Sequence, residues 1–198
     1  MRLYDKIKWI LGILMIISLV ITTNLVDRNN FLRINAAIET IYEDRLVVKD
    51  LILKISNHIH QKEIAAIRSD SNFYSIQNAQ INNDIENYIL SYDQTKLTSK
   101  EGKILDELKT NLVELREKES EFVESAYSQK TALLSQFPDI RKNLDALARI
   151  QLNEGGRQLE ISRKAMDTVD LFTEIEIYVL IFLAIVIQII VMYNPKRE

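Results

Sequence analysis

Residues 31–59 read FLRINAAIETIYEDRLVVKDLILKISNHI. Taken at alternating steps of three and four, Phe31, Ile34, Ile38, Ile41, Arg45, Val48, Ile52, Ile55 and Ile59 form one row, apolar at every position but Arg45. A row with that spacing lies along one face of an α-helix and needs other helices to cover it. A second row keeps the same spacing: Leu105, Leu108, Leu112, Leu115, Glu119, Phe122, Ala126, Gln129 and Leu133. A third, weaker row is Leu144, Ala148, Leu152, Gly155, Leu159, Met166 and Val169.

Punctuation between the rows sets the helix ends. Ser69-Asp70-Ser71-Asn72 is a turn-like cluster, and Thr98-Ser99-Lys100-Glu101 has the form of a capping box before an apolar run. Pro138 ends whatever precedes it and suits the first turn of a following helix. Four helices are predicted, over 28–68, 73–93, 99–136 and 139–173. Gly155-Gly156 falls inside the last and weakens it by about 1 kcal/mol per glycine.

Outside this charged segment the chain changes character. Residues 9–26 and 177–193 contain no charged side chain. Eighteen residues make about 27 Å of helix, close to the ~30 Å of a bilayer core. A secretory leader has a shorter apolar stretch and a small-x-small cleavage site. Thr22-Thr23-Asn24-Leu25-Val26 offers no such site, so an uncleaved anchor is expected. Gln188 is the one strongly polar side chain in the second stretch, and Tyr4, Trp9, Tyr178 and Tyr193 fall near the expected interfaces.

Arg2, Lys6 and Lys8 precede the first span, and Lys196 and Arg197 follow the second. The positive-inside rule puts both termini in the cytoplasm. The expected organisation is a cytoplasmic N-terminus (1–8), a span (9–26), an extracytoplasmic domain (27–174), a second span (175–193) and a cytoplasmic tail (194–198). Two anchors in one membrane require an even number of passes between them. The expected fold is therefore all-α, an antiparallel up-down four-helix bundle flanked by two transmembrane helices. The lipid bilayer of the inner membrane is the first expected partner.

Composition excludes several chemistries. Without cysteine there are no disulfides and no thiolate sites. Gly12, Gly102, Gly155 and Gly156 are the only glycines, so no glycine-rich phosphate loop exists. The segment 27–174 holds 20 Lys/Arg against 25 Asp/Glu, and no basic patch points to nucleic acid. His58 and His60, two apart on a helix, point in different directions and cannot share one metal ion. The run 114–124 reads as an exposed helix face with pairs one turn apart. No catalytic residue, cofactor site or metal site is assigned, and enzyme activity is not expected.

Ile41-Tyr42-Glu43-Asp44-Arg45-Leu46-Val47-Val48-Lys49-Asp50-Leu51 resembles the signature in the first helix of the four-helix-bundle sensor domain of methyl-accepting chemotaxis receptors. That family typically has Tyr-Glu-Asp-Arg, an apolar pair, then Pro and a leucine. Val48 stands here where Pro is usual. The resemblance extends to the order of span, four helices and span. It implies an extracytoplasmic sensor module of chemoreceptor type, a homodimer, and an unidentified small ligand. Receptors of the family continue into a cytoplasmic signalling hairpin, whereas this sequence ends five residues after the second span. The signal is then expected to pass to a partner membrane protein, such as a full-length chemoreceptor. The alternatives are a structural or regulatory membrane bundle without ligand sensing, and a truncated receptor.

Among the motif residues, Arg45 is the one that its row buries. Tyr42 reads as a packing residue, and Glu43 and Asp44 as solvated. A buried guanidinium needs a partner. That partner is either an acid within the bundle, with Glu119 nominated, or the carboxylate of a small ligand.

Overall fold

The computed structural model describes residues 3–192, without the side chains of residues 3–10, Glu43, Asp44, Ile187 and 190–192. It is all-α, with no strand among the described residues. Helix α1 (Leu3–Thr40) passes through a π-helical segment, Ile41–Leu46, into α2 (Val47–Arg68) without a loop. A second π-helical segment, Phe73–Gln77, leads into α3 (Asn78–Asp93). Then follow α4 (Ser99–Glu124), the short α5 (Lys130–Leu134) and α6 (Phe137–Met192). The chain forms two compact units. One is Glu39–Gln158; the other holds the described residues up to Ile38 and from Leu159.

Unit Glu39–Gln158 is the four-helix bundle. Its core joins Val48, Ile52, Ile55 and Ile59 to Ile81, Ile85 and Ile89, to Leu105, Leu108, Leu112, Leu115 and Phe122, and to Phe137, Ile140, Leu144 and Leu147. Fully burying one such side chain stabilises by about 1.5–3 kcal/mol. This shared core, rather than helix propensity, holds the elements together.

The expected turns form with recognisable chemistry. Helix α2 ends at Ser69 in the left-handed region (φ 52°), where the Asp70 amide bonds back to the Ala65 carbonyl at 3.0 Å. The Asp70 carboxylate then accepts from the Phe73 amide at 3.1 Å. The capping box is complete: the Glu101 amide donates to Thr98 Oγ1 (3.2 Å), and the Thr98 amide to Glu101 Oε2 (2.8 Å).

Three expectations need correction. The helix predicted over 99–136 stops at Glu124, where Ala126 (φ 53°) and Tyr127 (φ 67°) turn the chain and the Tyr127 amide bonds to the Phe122 carbonyl at 2.8 Å. No glycine marks this turn, so the apolar row ran straight through it. In the last helix the buried position is Gln151, while Leu152 is 74% exposed and Leu159 and Met166 are also exposed. In the first helix the row holds from Arg45 onward. Upstream, Asn30 and Ala37 are buried while Phe31 and Ile38 are exposed. The π-helical segment, which takes one more residue per hydrogen-bonded ring than an α-turn, puts the row one residue out of step.

Candidate functional site

Arg45 belongs to the π-helical segment and is 6% exposed. Its partner is Glu101, not Glu119. Arg45 Nη1 donates to both Glu101 oxygens at 3.2 Å and to Gln151 Oε1 at 3.1 Å. Gln151 Nε2 donates to Glu101 Oε1 at 2.5 Å and to the Tyr92 hydroxyl at 2.9 Å. The Tyr92 hydroxyl lies 3.4 Å from Glu101 Oε1 and donates to it. Each of the four helices of the bundle thus gives one side chain to a single buried polar layer. Glu101 serves twice, closing the α4 cap and holding Arg45. The Arg45 Nε has no hydrogen-bond partner among the described residues.

The electrostatics follow from this wiring. Burial alone pushes the Glu101 carboxyl upward. The two hydrogen bonds shared with Thr98, the Arg45 charge and the Gln151 amide pull it down, and the pull wins: Glu101 is held below its ordinary value. Burial is the main cause that raises Tyr92, with Glu101 adding to it, so its hydroxyl keeps its proton and remains a donor.

A second polar cluster lies farther along the same helices. Lys62 is fully buried and donates to both Glu119 oxygens at 2.8 Å and to Asn78 Oδ1 at 2.5 Å. Asn78 Nδ2 donates to Glu119 Oε2 at 3.2 Å. Burial lowers the Lys62 ammonium, and the charge and hydrogen bond of Glu119 oppose that. The nearby Tyr74 hydroxyl is buried, with no hydrogen-bond partner among the described residues, within an aromatic group of Phe73, Phe122 and Tyr127. Both clusters pair a base of the first bundle helix with an acid of α4. Such pairs are weak contributors to net stability, because desolvation offsets their attraction. Their firmer consequence is register, since sliding one helix past another leaves buried charges alone.

Several named residues fall elsewhere. Tyr42 is 62% exposed and is not a packing residue within this chain. The side chains of Glu43 and Asp44 lie outside the described residues. His58 stacks on Tyr88 with ring centres 5.9 Å apart, and His60 is exposed. Within 114–124, Lys118 and Glu121 form the expected surface pair, whereas Glu119 turns inward. Among the described residues no group of three or more His, Asp or Glu is placed to hold a metal ion. A polar groove of about 360 Å³ on the bundle is lined by Glu107, Thr110, Asn111, Asp139, Lys142 and Asn143.

Glu101, Gln151, Tyr92, Lys62 and Asn78 were not singled out from sequence as members of these clusters. Two were within reach. Continuing the first row three residues past Ile59 lands on Lys62, and continuing the second row four residues back from Leu105 lands on Glu101. The second row already contained Glu119.

Residues 1–160 match the family described as a four helix bundle sensory module for signal transduction. The match includes every member of both polar clusters. No curated protein and no solved structure matches the chain.

Proposed function

Because the chain belongs to the four-helix-bundle sensory modules of signal transduction, the sensor family of chemoreceptors, we propose that it is a membrane-anchored extracytoplasmic sensor. A small ligand or protein partner on the outside shifts the packing of the bundle, and the change is passed through the anchors to a partner membrane signalling protein, such as a full-length chemoreceptor. The observation that carries this reading is the polar layer fed by all four helices. Moving any one of Arg45, Tyr92, Glu101 or Gln151 unpairs the others in a low-dielectric interior, so the bundle favours a few discrete arrangements over continuous deformation.

One helix among the described residues, Leu11–Thr40, is long and apolar enough to cross a membrane. Leu11, Leu14, Met15, Ile21 and Leu25 are exposed along it, as lipid contact requires. The second span of the proposal, 175–193, lies partly outside the described residues. Ile177, Tyr178, Ile181, Phe182 and Ile185 within it are likewise exposed. In this reading residues 27–174 face the periplasm or the exterior of the cell and 1–8 and 194–198 the cytoplasm. The polar groove at Asn111 and Asn143 is a concave surface on the bundle that a small polar ligand could occupy. Arg45, already paired, receives an anionic ligand only by giving up Glu101.

The test is thermal unfolding of the full chain in nanodiscs against small amino acids, carboxylates and amines. Stabilisation by one class, abolished by Asn143→Leu, supports the sensor. No response to any class, together with reproducible recovery of one membrane partner, supports instead a regulatory bundle that does not sense a ligand.

A further inference from the structure

The buried row of the first helix runs Thr23, Asn30 and Ala37, then Arg45, Ile52, Ile59 and Ala66. Every step is seven residues except the one from Ala37 to Arg45, which is eight. The π-helical segment Ile41–Leu46 absorbs the extra residue. One residue of helix corresponds to about 100° of rotation. Carrying the downstream spacing back from Arg45 through an unbroken α-helix gives a different upstream row, Ile38 and Phe31. Those two side chains are 56% and 61% exposed in the present register. Helix α1 therefore carries two inward rows, one residue apart. Asn30 and Ala37 form the one that is used, and Phe31 and Ile38, the more apolar, form the one that is not.

We propose that Ile41–Leu46 is a register switch. Converting its π-turn to an α-turn re-phases α1 by one residue about its own axis and exchanges the Asn30/Ala37 row for the Phe31/Ile38 row. Neither register is favoured on every count. The π-turn has the rarer backbone geometry, and the α-turn register buries more apolar surface upstream. Arg45 decides where the rotation goes. It stands near the end of the segment and is held by Glu101 of α4 and Gln151 of α6, so the bundle side is fixed and α1 takes up the change. A disturbance of α4 or α6 reaches the switch through the same two residues. The purpose of the switch rests on the sensor reading, but its occurrence does not, because its test needs no ligand and no partner.

The absence of cysteine makes the test direct. Single cysteines replace Asn30, Phe31, Ala37 and Ile38 in the full chain in membranes, and their reaction rates with a water-soluble maleimide are compared. With the native length, Phe31→Cys and Ile38→Cys react several-fold faster than Asn30→Cys and Ala37→Cys. Deleting Glu43 removes the extra residue and reverses the order, while Ile52→Cys stays protected. Glu101→Gln, which keeps the chain length, cuts the hold on Arg45 and brings the rates of the two rows together. An order unchanged in the deletion variant overturns the proposal. If that variant does not insert, rates unchanged in Glu101→Gln overturn it.

Discussion

At Arg45 the internal and external readings of a buried cation predict opposite signs. With Glu101 as its partner, Arg45→Met leaves a buried carboxylate unpaired, a loss of about 3–5 kcal/mol. Arg45→Met combined with Glu101→Leu restores most of it, short by the ~1 kcal/mol expected for the lost α4 cap. A guanidinium reserved for an external carboxylate would make Arg45→Met stabilising in the free protein. Unfolding midpoints of the three chains decide between them, and a loss followed by recovery is expected. Acid gives a second expectation. The folded-state pKa of Glu101 lies below the ordinary 4.5, so its carboxylate contributes stability that is complete above that pH and is lost as pH falls through the folded value. Glu101→Gln should flatten the fall in stability below about pH 4.5, as followed by helix content in an acid titration. Arg45 was legible in the sequence because a charge in an apolar row demands a partner. Gln151 was not, because a neutral amide beside Leu152 carries less apolar weight than its neighbour. Only the three groups around Gln151 explain why it is inside.

Local defects in the helices can be examined one substitution at a time. Ala126 holds a left-handed conformation that a side chain disfavours, and Ala126→Gly should stabilise the bundle by roughly 1 kcal/mol. Tyr127, also left-handed, packs on Phe122 and Tyr74, so Tyr127→Gly trades relief of strain for lost ring contacts and should not stabilise. Gly155 and Gly156 meet nothing where a Cβ would stand. Gly155→Ala and Gly156→Ala should each stabilise α6 by about 1 kcal/mol, measured as reduced amide exchange over 150–160. A neutral result would mean that the glycines are needed in an arrangement other than this one. The rows placed the bundle elements from sequence wherever an apolar row coincided with a cap or a proline. They missed the turn at 125–129, which has neither glycine nor proline, and the π-helical segment. That segment left no trace because the unbroken row through Phe31 and Ile38 is the more apolar one, whereas the row in use carries Asn30 and Ala37.

For the whole molecule, the proposed two-pass topology rests on the charges outside the apolar stretches, and the proposed homodimer on surfaces that the single chain leaves uncovered. Reporter fusions at both ends should report the cytoplasm, since basic residues flank both apolar stretches on their outer sides. The exposed rows predict a homodimer. On the first helix Leu46 and Leu53 lie seven apart and are both exposed. On α6 Leu152, Leu159 and Met166 repeat the spacing and are exposed too. Leu51, two residues before Leu53, is buried in the core and lies outside this seam. Apolar side chains at steps of seven form a seam for another helix, and an uncovered seam of this length is uncommon on a monomer. A second copy supplies the same rows related by a two-fold axis, which closes the assembly. Cysteines at Leu46 and Leu53 should therefore form disulfide-linked dimers in membranes. A cysteine at Lys54, exposed but about 100° round the helix from Leu53, should not. Cross-linking independent of helical phase would indicate random collision, and its absence at every position would leave the rows to a different membrane protein.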